Sequence, residues 1–173
     1  LIENIYNSTN IGNQEVLRGR IMSEVKKILL TGGSGYIGSC FIDLFKNQFS
    51  IVNIDTNYYS IPEIVTNSSV ENISKDVRDI TQKDLVGVDV IIHMAELSND
   101  PLGDYNPNLT KSINIDATKK IIKLAKDSKI KKFIYMSSCS VYGLADDVIL
   151  TENSTTNPLT EYAKAKVANE KIL

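Results

Sequence analysis

The residues with the clearest chemical potential are a tyrosine and a lysine four positions apart, Tyr162 and Lys166. On a helix, residues i and i+4 share one face, so the phenol and the ammonium would lie side by side. A phenol is a weak base at neutral pH, but a neighbouring positive charge stabilises its phenolate and lowers its pKa. The pair therefore predicts a general base that removes a hydroxyl proton. The alternative is that Tyr162 only packs its ring on a helix face.

A glycine-rich segment at residues 31–38 reads Thr-Gly-Gly-Ser-Gly-Tyr-Ile-Gly. Glycine suits a loop in which the backbone takes positive φ, approaches a pyrophosphate or lets a helix pack closely on a strand. A helix that follows directs its free N–H groups and positive dipole end at phosphates. Asp55 ends the next apolar run, where a carboxylate accepts hydrogen bonds from the adenosine ribose of a dinucleotide. Because a carboxylate there repels a 2′-phosphate, NAD is favoured over NADP.

The elements that position these residues alternate between strands and helices. Such alternation is typical of parallel strands joined by right-handed crossovers, so we expect an α/β fold, a Rossmann-type doubly wound sheet, here truncated after the fifth strand and the following helix. Ligands bind such a sheet at the carboxyl ends of its strands. Apolar runs and periodicity predict strands at 25–30, 51–54, 70–74, 88–94 and 132–137, and helices at 36–47, 81–86 (with Thr81 as its N-cap), 109–127 and from 159 onward.

The composition excludes several classes of protein. A net charge of −2 argues against a general nucleic-acid binder. No apolar run approaches the roughly 18 residues of a membrane span, and we expect no signal peptide because the N-terminal segment is polar. Cys40 and Cys139 lie far apart and in no metal-ligand spacing, so we expect reduced thiols in a cytoplasmic protein and no metal site. Residues 1–22 show no period, and we expect a disordered extension there and an NAD-binding domain at 23–173.

Several further motifs follow the order of one known family. The spacing Gly32-x-x-Gly35-x-x-Gly38 resembles the signature of the extended short-chain dehydrogenases/reductases, the NAD-dependent epimerase/dehydratase family. The resemblance runs from about residue 25 to the last residue and is closest to sugar-nucleotide epimerases, of which this chain matches the N-terminal portion. The other similar segments are Asp76-Val77-Arg78-Asp79, His93-Met94-Ala95, the helix residue Asn114, Ser137-Ser138-Cys139-Ser140-Val141-Tyr142-Gly143 and Tyr162-Ala163-Lys164-Ala165-Lys166.

The resemblance implies an NAD-dependent oxidoreductase or epimerase that acts on a nucleotide sugar. Tyr162 would take a hydroxyl proton while hydride passes to NAD, Lys166 would also hold the nicotinamide ribose, and Ser138 would bind the substrate oxygen. The implied catalytic residues are Ser138, Tyr162, Lys166 and Asn114. The implied cofactor-binding residues are Gly32, Gly35, Tyr36, Ile37, Gly38, Asp55, Asp76, Val77, Ala95, Tyr162 and Lys166.

Some of these residues also have structural interpretations. Asn114 lies on a partly buried helix sector, where a functional and a structural role are equally compatible. Ser138 would satisfy backbone groups at a strand end. His93 is expected to be a strand residue with a satisfied ring rather than a catalyst.

The chain departs from the family's pattern at two places. Members that eliminate water usually carry Asp-Glu directly after the catalytic hydroxyl, and Cys139-Ser140 stands there instead, which favours an epimerase or plain oxidoreductase over a dehydratase. Glu96 replaces an alanine and places a carboxylate near the cofactor cleft, with no purpose visible in the sequence.

Extended members of the family are much longer than this chain. We therefore expect either part of a longer enzyme or, alternatively, a truncated non-catalytic module that binds NAD or a partner. The expected partner is a nucleotide sugar, and we expect neither nucleic acid nor a membrane. Whether a second copy of the chain also binds is left open.

Overall fold

The computed structural model describes residues 25–60, 69–98, 105–144 and 149–173. Most of the expected NAD-binding domain falls in these ranges, and the expected extension at 1–22 lies outside the described residues. The strands and helices of the described ranges are β1 (Lys27–Thr31), α1 (Tyr36–Phe45), β2 (Ser50–Asp55), β3 (Glu71–Ser74), β4 (Val90–His93), α2 (107–127), β5 (Lys132–Tyr135) and α3 (Glu161–Glu170), with 3-10 turns at Val77–Asp79, Gln82–Leu85 and Cys139–Tyr142.

The five strands form one parallel sheet in the order β3-β2-β1-β4-β5. This is the strand order of a doubly wound dinucleotide-binding sheet, so the expected fold class is confirmed. The central strand β1 pairs with β2 on one side and with β4 on the other, and Thr31 at its end lies opposite both Ile54 and His93. The chain therefore leaves β1 at the point where the strand order reverses, which is where sheets of this kind bind their ligands.

Helices and turns cover both faces of the sheet. Successive side chains of a strand point to opposite faces, so Leu29 packs with Ile91 and Ile121 on the α2 face while Ile28 and Leu30 pack with Ile42 of α1. Burial on both faces explains why β1 has a continuous apolar run instead of an alternating one. None of the helices in the described ranges has the length and hydropathy of a bilayer-spanning segment.

Two of the expected helices differ from the prediction in their type of helical turn. The segment expected as a helix at 81–86 is a single 3-10 turn at Gln82–Leu85, and the backbone N–H of its cap residue Thr81 donates to Asp84 Oδ2 at 2.7 Å. The long helix α2 begins with an α-helical turn at Pro107–Thr110, widens to a π-helix at Lys111–Asp116 and returns to α-helix at Ala117–Asp127. Such a π-helical insertion often lies at a functional site.

A single carboxylate joins the amino ends of three strands. Asp89 precedes β4, and its Oδ2 accepts hydrogen bonds from the backbone N–H groups of Lys26 (2.8 Å) and Lys27 (3.0 Å) at the start of β1. Its Oδ1 lies 2.9 Å from the ammonium of Lys131, which precedes β5. Lys131 and the two backbone donors hold the pKa of Asp89 down at about 2.

We predict that Asp89→Asn lowers the free energy of unfolding by about 1 kcal/mol at pH 7, after allowance for solvent screening. Because the pKa of Asp89 is depressed on folding, its contribution is present above the ordinary carboxyl pKa near 4 and is lost as the pH falls towards 2. Urea unfolding should therefore show a difference between variant and wild type that disappears by about pH 2.

The control is Asp43→Asn, which removes an exposed carboxylate of α1 that pairs with Lys46, the residue after the helix. This variant should unfold like the wild type at both pH values. An Asp89→Asn protein with unchanged stability at pH 7 would show that the carboxylate does not hold the strand ends together.

Candidate active site

Gly32 follows β1 in a conformation that other residues rarely adopt. Its φ is +76°, and its N–H donates to the carbonyl of Ile54 at 2.9 Å. A Cβ added at Gly32 would lie 2.7 Å from the backbone nitrogen of Ala95, which follows β4. Gly32 thus lets the loops after β1 and β4 touch.

Gly38 brings the first helix against the loop. A Cβ added there would lie 2.4 Å from the Cα of Gly33, whereas one added at Gly35 would meet nothing nearer than the Gly32 carbonyl oxygen at 3.6 Å. Helix α1 begins at Tyr36, and among the described residues no side chain caps it. The first turn therefore presents backbone N–H groups and a positive dipole end beside an open loop, and the side chains of Tyr36 and Ile37 are exposed.

Asp55 is held beside this loop at the end of β2. Its Oδ2 accepts from the backbone N–H of Ser34 at 3.0 Å and its Oδ1 from that of Asn57 at 2.8 Å. A carboxylate has about four acceptor positions, so these two bonds leave capacity for two hydroxyl donors. Asn57, with φ of +62°, also accepts from Ser34 Oγ. The sequence analysis did not single out Asn57.

Asn53 is a second residue that the sequence analysis missed. It is buried within β2, and its amide nitrogen donates to Ser34 Oγ at 2.9 Å and to Asn72 Oδ1 on β3 at 3.0 Å. The sequence feature that could have identified Asn53 is an amide side chain in an otherwise apolar strand, because a buried amide needs hydrogen-bond partners. Asn53 fixes the loop before any ligand arrives.

Asp76 and Val77 lie beyond β3, on the far side of β2 from Lys166. Asp76 binds the Arg78 guanidinium through Nε at 2.9 Å and Nη2 at 2.6 Å, and that bond holds the pKa of Asp76 below its usual value. The Val77 side chain is buried in the core. Only the backbone of Val77 is therefore available to contact a ligand.

His93 is buried at the end of β4 with a hydroxyl at each ring nitrogen. Nδ1 lies 2.6 Å from Thr31 Oγ1, and Nε2 lies 2.8 Å from Thr118 Oγ1. Because the Thr118 hydroxyl donates to the Asn114 carbonyl, it accepts from Nε2–H, which assigns the tautomer. Burial lowers the pKa of His93 to about 3, so the ring is neutral. The expectation of a satisfied strand histidine is confirmed.

Asn114 lies in the π-helical part of α2 and is fully buried. Its Oδ1 accepts from Leu97 N at 2.8 Å, and its Nδ2 donates to Leu97 O at 3.0 Å. Its own carbonyl accepts from Asn169 Nδ2 of α3 at 2.7 Å. The amide is thus committed to the segment after β4, and Asn114 ties that segment to two helices.

Lys166 is buried on α3, and its ammonium lies among groups from three elements. Nζ lies 2.6 Å from Glu96 Oε2 and also donates to the backbone carbonyl of Met136. It lies 4.6 Å from the ring centroid of Tyr135 and 5.2 Å from that of Tyr162. The structure therefore brings Tyr162 and Lys166 together on one helix face, as their spacing predicts.

Glu96 is held by its own buried contacts. Tyr135 Oη donates to Glu96 Oε1 at 2.6 Å, and Asn169 Nδ2 donates to Tyr135 Oη at 2.9 Å. Burial raises the pKa of Glu96, and the Lys166 ammonium is the strongest opposing influence. Burial, with Glu96 beside it, raises the pKa of Tyr135, which therefore remains a protonated donor. Tyr135 and Asn169 were not identified from the sequence, where both resemble ordinary packing residues.

Ser138 lies two residues after Met136 and caps the 3-10 turn at Cys139–Tyr142. Its Oγ accepts from Ser140 N at 3.2 Å and lies 3.0 Å from Ser140 Oγ. The same turn bonds to the segment before α3 through Asn157 N and Val141 O at 2.9 Å. The capping bond agrees with the structural interpretation of Ser138, and the turn lies against the helix that carries Tyr162.

Comparison with known proteins agrees with this geometry. The model of the NAD dependent epimerase/dehydratase family matches residues 28–173. A dTDP-D-glucose 4,6-dehydratase of Bos taurus is 28% identical over 160 residues, which is 86% of this chain and 45% of that protein.

Two solved structures share the fold. A UDP-N-acetylglucosamine 4-epimerase from Methanobrevibacter ruminantium M1, in complex with UDP-N-acetylmuramic acid, has a TM-score of 0.80 at 30% identity and matches 85% of this chain and 49% of its own. An NAD dependent NDP-hexosamine 5,6-dehydratase involved in tunicamycin biosynthesis has a TM-score of 0.75 at 26% identity, over 85% and 48%. This chain spans about half the length of the relatives it matches.

The glycine loop yields a prediction about stability. Gly38→Ala should lower the free energy of unfolding by about 2–3 kcal/mol, because the new methyl group must displace the backbone of Gly33. Gly35→Ala should cost no more than about 1 kcal/mol, because its methyl group makes only an ordinary contact with the Gly32 carbonyl oxygen at 3.6 Å. Chemical denaturation of both variants measures the contrast. Equal stabilities would mean that α1 does not pack against the loop as described.

Proposed function

The chain belongs to the NAD-dependent epimerase/dehydratase family, and from this premise we propose that it binds NAD and supplies the base that withdraws a hydroxyl proton from a nucleotide sugar. The observation that carries the proposal is the Lys166 ammonium, buried and 5.2 Å from the ring centroid of Tyr162. The matched relatives are about twice as long as this chain. NAD binding is therefore proposed for the described residues, and sugar turnover for a protein that also has a substrate pocket.

The loop after β1 has the properties that a dinucleotide requires. The pyrophosphate would be held by the backbone of Gly32, Gly35 and Gly38 and by the start of α1, where Tyr36 and Ile37 lie, because among the described residues nothing closer than the Gly32 carbonyl oxygen crowds the Cβ position of Gly35. Asp55 would accept from the adenosine ribose hydroxyls, and its negative charge would disfavour a 2′-phosphate. NAD, when bound, supplies the hydride acceptor for oxidation of a sugar hydroxyl.

The remaining contacts follow from position in the sheet. Ala95 touches Gly32 after β4. Asp76 and the Val77 backbone follow β3, with two strands between β3 and β4, and would lie at the adenine end. Lys166 would bind the nicotinamide ribose while it supports the base. These assignments rest on the placement of the residues at the carboxyl edge of one parallel sheet.

The proton chemistry belongs to the chain's own residues. Tyr162, as the phenolate, accepts the hydroxyl proton when the sugar carbon loses its hydrogen as hydride. Lys166 favours the phenolate electrostatically, and Ser138 donates a hydrogen bond to the oxygen that becomes a carbonyl. Asn114 acts as a positioning residue, since its amide holds the Leu97 backbone and its carbonyl binds Asn169 of the lysine-bearing helix.

The residues after Ser138 distinguish between reaction types. Elimination of water needs an acid and a base placed beside the substrate, and the chain has Cys139 and Ser140 at the positions after Ser138. We therefore favour epimerisation or simple oxidation over dehydration. A 4-epimerase and two dehydratases are among the relatives described above, so the family by itself does not decide the reaction.

Gly35→Ala should weaken NADH binding at least about tenfold while the protein remains folded. The added methyl group meets no protein atom closer than 3.6 Å, so it occupies the space in which the phosphates would lie. Titration followed by nicotinamide fluorescence measures the affinity. Cys40→Ala, an exposed change further along α1, is the control and should bind like the wild type. Unchanged affinity in Gly35→Ala would place the pyrophosphate elsewhere.

Tyr162→Phe should lower the turnover rate of UDP- and dTDP-sugars about 10²-fold or more, because the phenol is the base. This rate is measured with a protein that also has a substrate pocket. NADH affinity should change by no more than about twofold, since the ring and Lys166 remain. Tyr105→Phe, at an exposed tyrosine, serves as the matched control and should retain activity. Retained turnover in Tyr162→Phe would reject Tyr162 as the base, and a wild type without NADH binding or turnover would reject the whole proposal.

A further inference from the structure

The carboxylate of Glu96 meets the Lys166 ammonium inside the protein. Their side chains are 2% and 4% exposed, and Oε2 lies 2.6 Å from Nζ. A buried ammonium without a counter-charge costs several kcal/mol in a protein interior, so a partner of this kind holds Lys166 in one place. The ion pair joins the segment after β4 to helix α3.

The partners of Lys166 restrict what the ammonium can still do. An ammonium has three N–H donors, and Lys166 directs donors towards Glu96 and towards the Met136 carbonyl. One donor is left for a further partner. Tyr162 therefore lies beside an ammonium that already has a carboxylate partner, 5.2 Å from its ring centroid.

Glu96 itself cannot turn away easily. Tyr135 holds its other oxygen at 2.6 Å, and Asn169 connects Tyr135 to the Asn114 carbonyl by bonds of 2.9 and 2.7 Å. The network links the ends of β4 and β5 to both helices. These hydrogen bonds hold Glu96 in one arrangement.

The other charged groups around this pair lie outside the network. On the sheet side the ionisable groups are His93, which is buried and neutral, and Tyr135, which is partly buried and stays protonated. On α3, Glu161 pairs with Lys164 at 2.7 Å and Glu170 accepts from Ser137. The charged residues of α2 nearest the site are exposed: Lys111, Asp116, Lys119 and Lys120. The 3-10 turn contributes only the thiol of Cys139, exposed, and the phenol of Tyr142.

We propose that Glu96 is a positioning residue which, by neutralising Lys166, raises the pH at which Tyr162 becomes a phenolate. This rests on the proposed role of Tyr162 as the base. A lone ammonium near a phenol stabilises its phenolate, and a carboxylate paired with that ammonium cancels part of the effect. The enzyme thereby has a base that works at a higher pH than the Tyr-Lys pair alone would set, together with a lysine that is held in place.

The test measures the ionisation of Tyr162 directly in the 173-residue chain, without cofactor or substrate. The chain contains eight tyrosines. Labelling them with ¹³C at Cζ and following the NMR shifts against pH gives their pKa values, and Tyr162→Phe identifies the signal of Tyr162. Glu96→Gln should lower the pKa of Tyr162 by about one pH unit, because the ammonium is no longer neutralised.

The matched control is Glu170→Gln, the same substitution at an exposed position of α3, which should leave the pKa of Tyr162 unchanged. Glu96→Asp, which keeps the charge, should restore most of the wild-type value. A pKa of Tyr162 that is the same in wild type and Glu96→Gln would overturn the proposal. A Glu170→Gln effect as large as that of Glu96→Gln would overturn it too, because the effect would then not be specific to the pair.

A second comparison covers the case in which Glu96→Gln fails to fold with its unpaired ammonium. The double variant Glu96→Gln, Lys166→Met removes both charges, and its Tyr162 pKa should stay within about half a unit of the wild-type value, because the pair as a whole is close to neutral. A rise of one unit or more would overturn the proposal, because Lys166 would then act on Tyr162 as a lone cation. NADH titration of the same samples separates this inference from the proposed function. A shift in the pKa of Tyr162 without NADH binding refutes only the proposed function. NADH binding without a shift in that pKa refutes only the role of Glu96.

Discussion

The buried ammonium of Lys166 is the constraint around which the site is arranged. A charge at this depth is tolerated only if oxygen atoms surround it, and here they come from distant parts of the chain: the Glu96 carboxylate after β4 and the Met136 carbonyl after β5. Helix α3 must therefore lie against the ends of these two strands. The position of Tyr162, one turn away from Lys166, follows from the same contact.

Parallel strand pairing makes this convergence possible. All five strands run in one direction, so their carboxyl ends share one edge of the sheet, and everything that follows a strand begins there. The glycine loop and Asp55 lie on one side of β1, while Ala95 and Glu96 lie on the other. Hydrogen bonds donated by Asn53, Ser34 and Asn114 fix both sides. The crevice between them is formed by preorganised backbone rather than by mobile side chains.

The sequence predicted what depends on local spacing. Apolar runs located the strands, the glycine spacing located the loop at Gly32, and the i, i+4 relation placed Tyr162 beside Lys166. Features that depend on tertiary packing were missed. The π-helical turns lie around Asn114, whose amide binds Leu97 across the fold, whereas periodicity alone predicts a regular helix. The purpose of Glu96 was likewise invisible, because its partner Lys166 lies far along the chain and only the fold brings the two together.

A crystal structure of the chain with NAD bound tests the central claim, that the glycine loop and the Tyr162–Lys166 pair belong to one cofactor site. The account predicts pyrophosphate density against the backbone of Gly32–Gly38, with the nicotinamide end of the molecule on the side of the crevice that faces Tyr162. The account would be contradicted if the nicotinamide ring lay so far from the Tyr162 hydroxyl that a single sugar carbon and its hydroxyl group could not contact both.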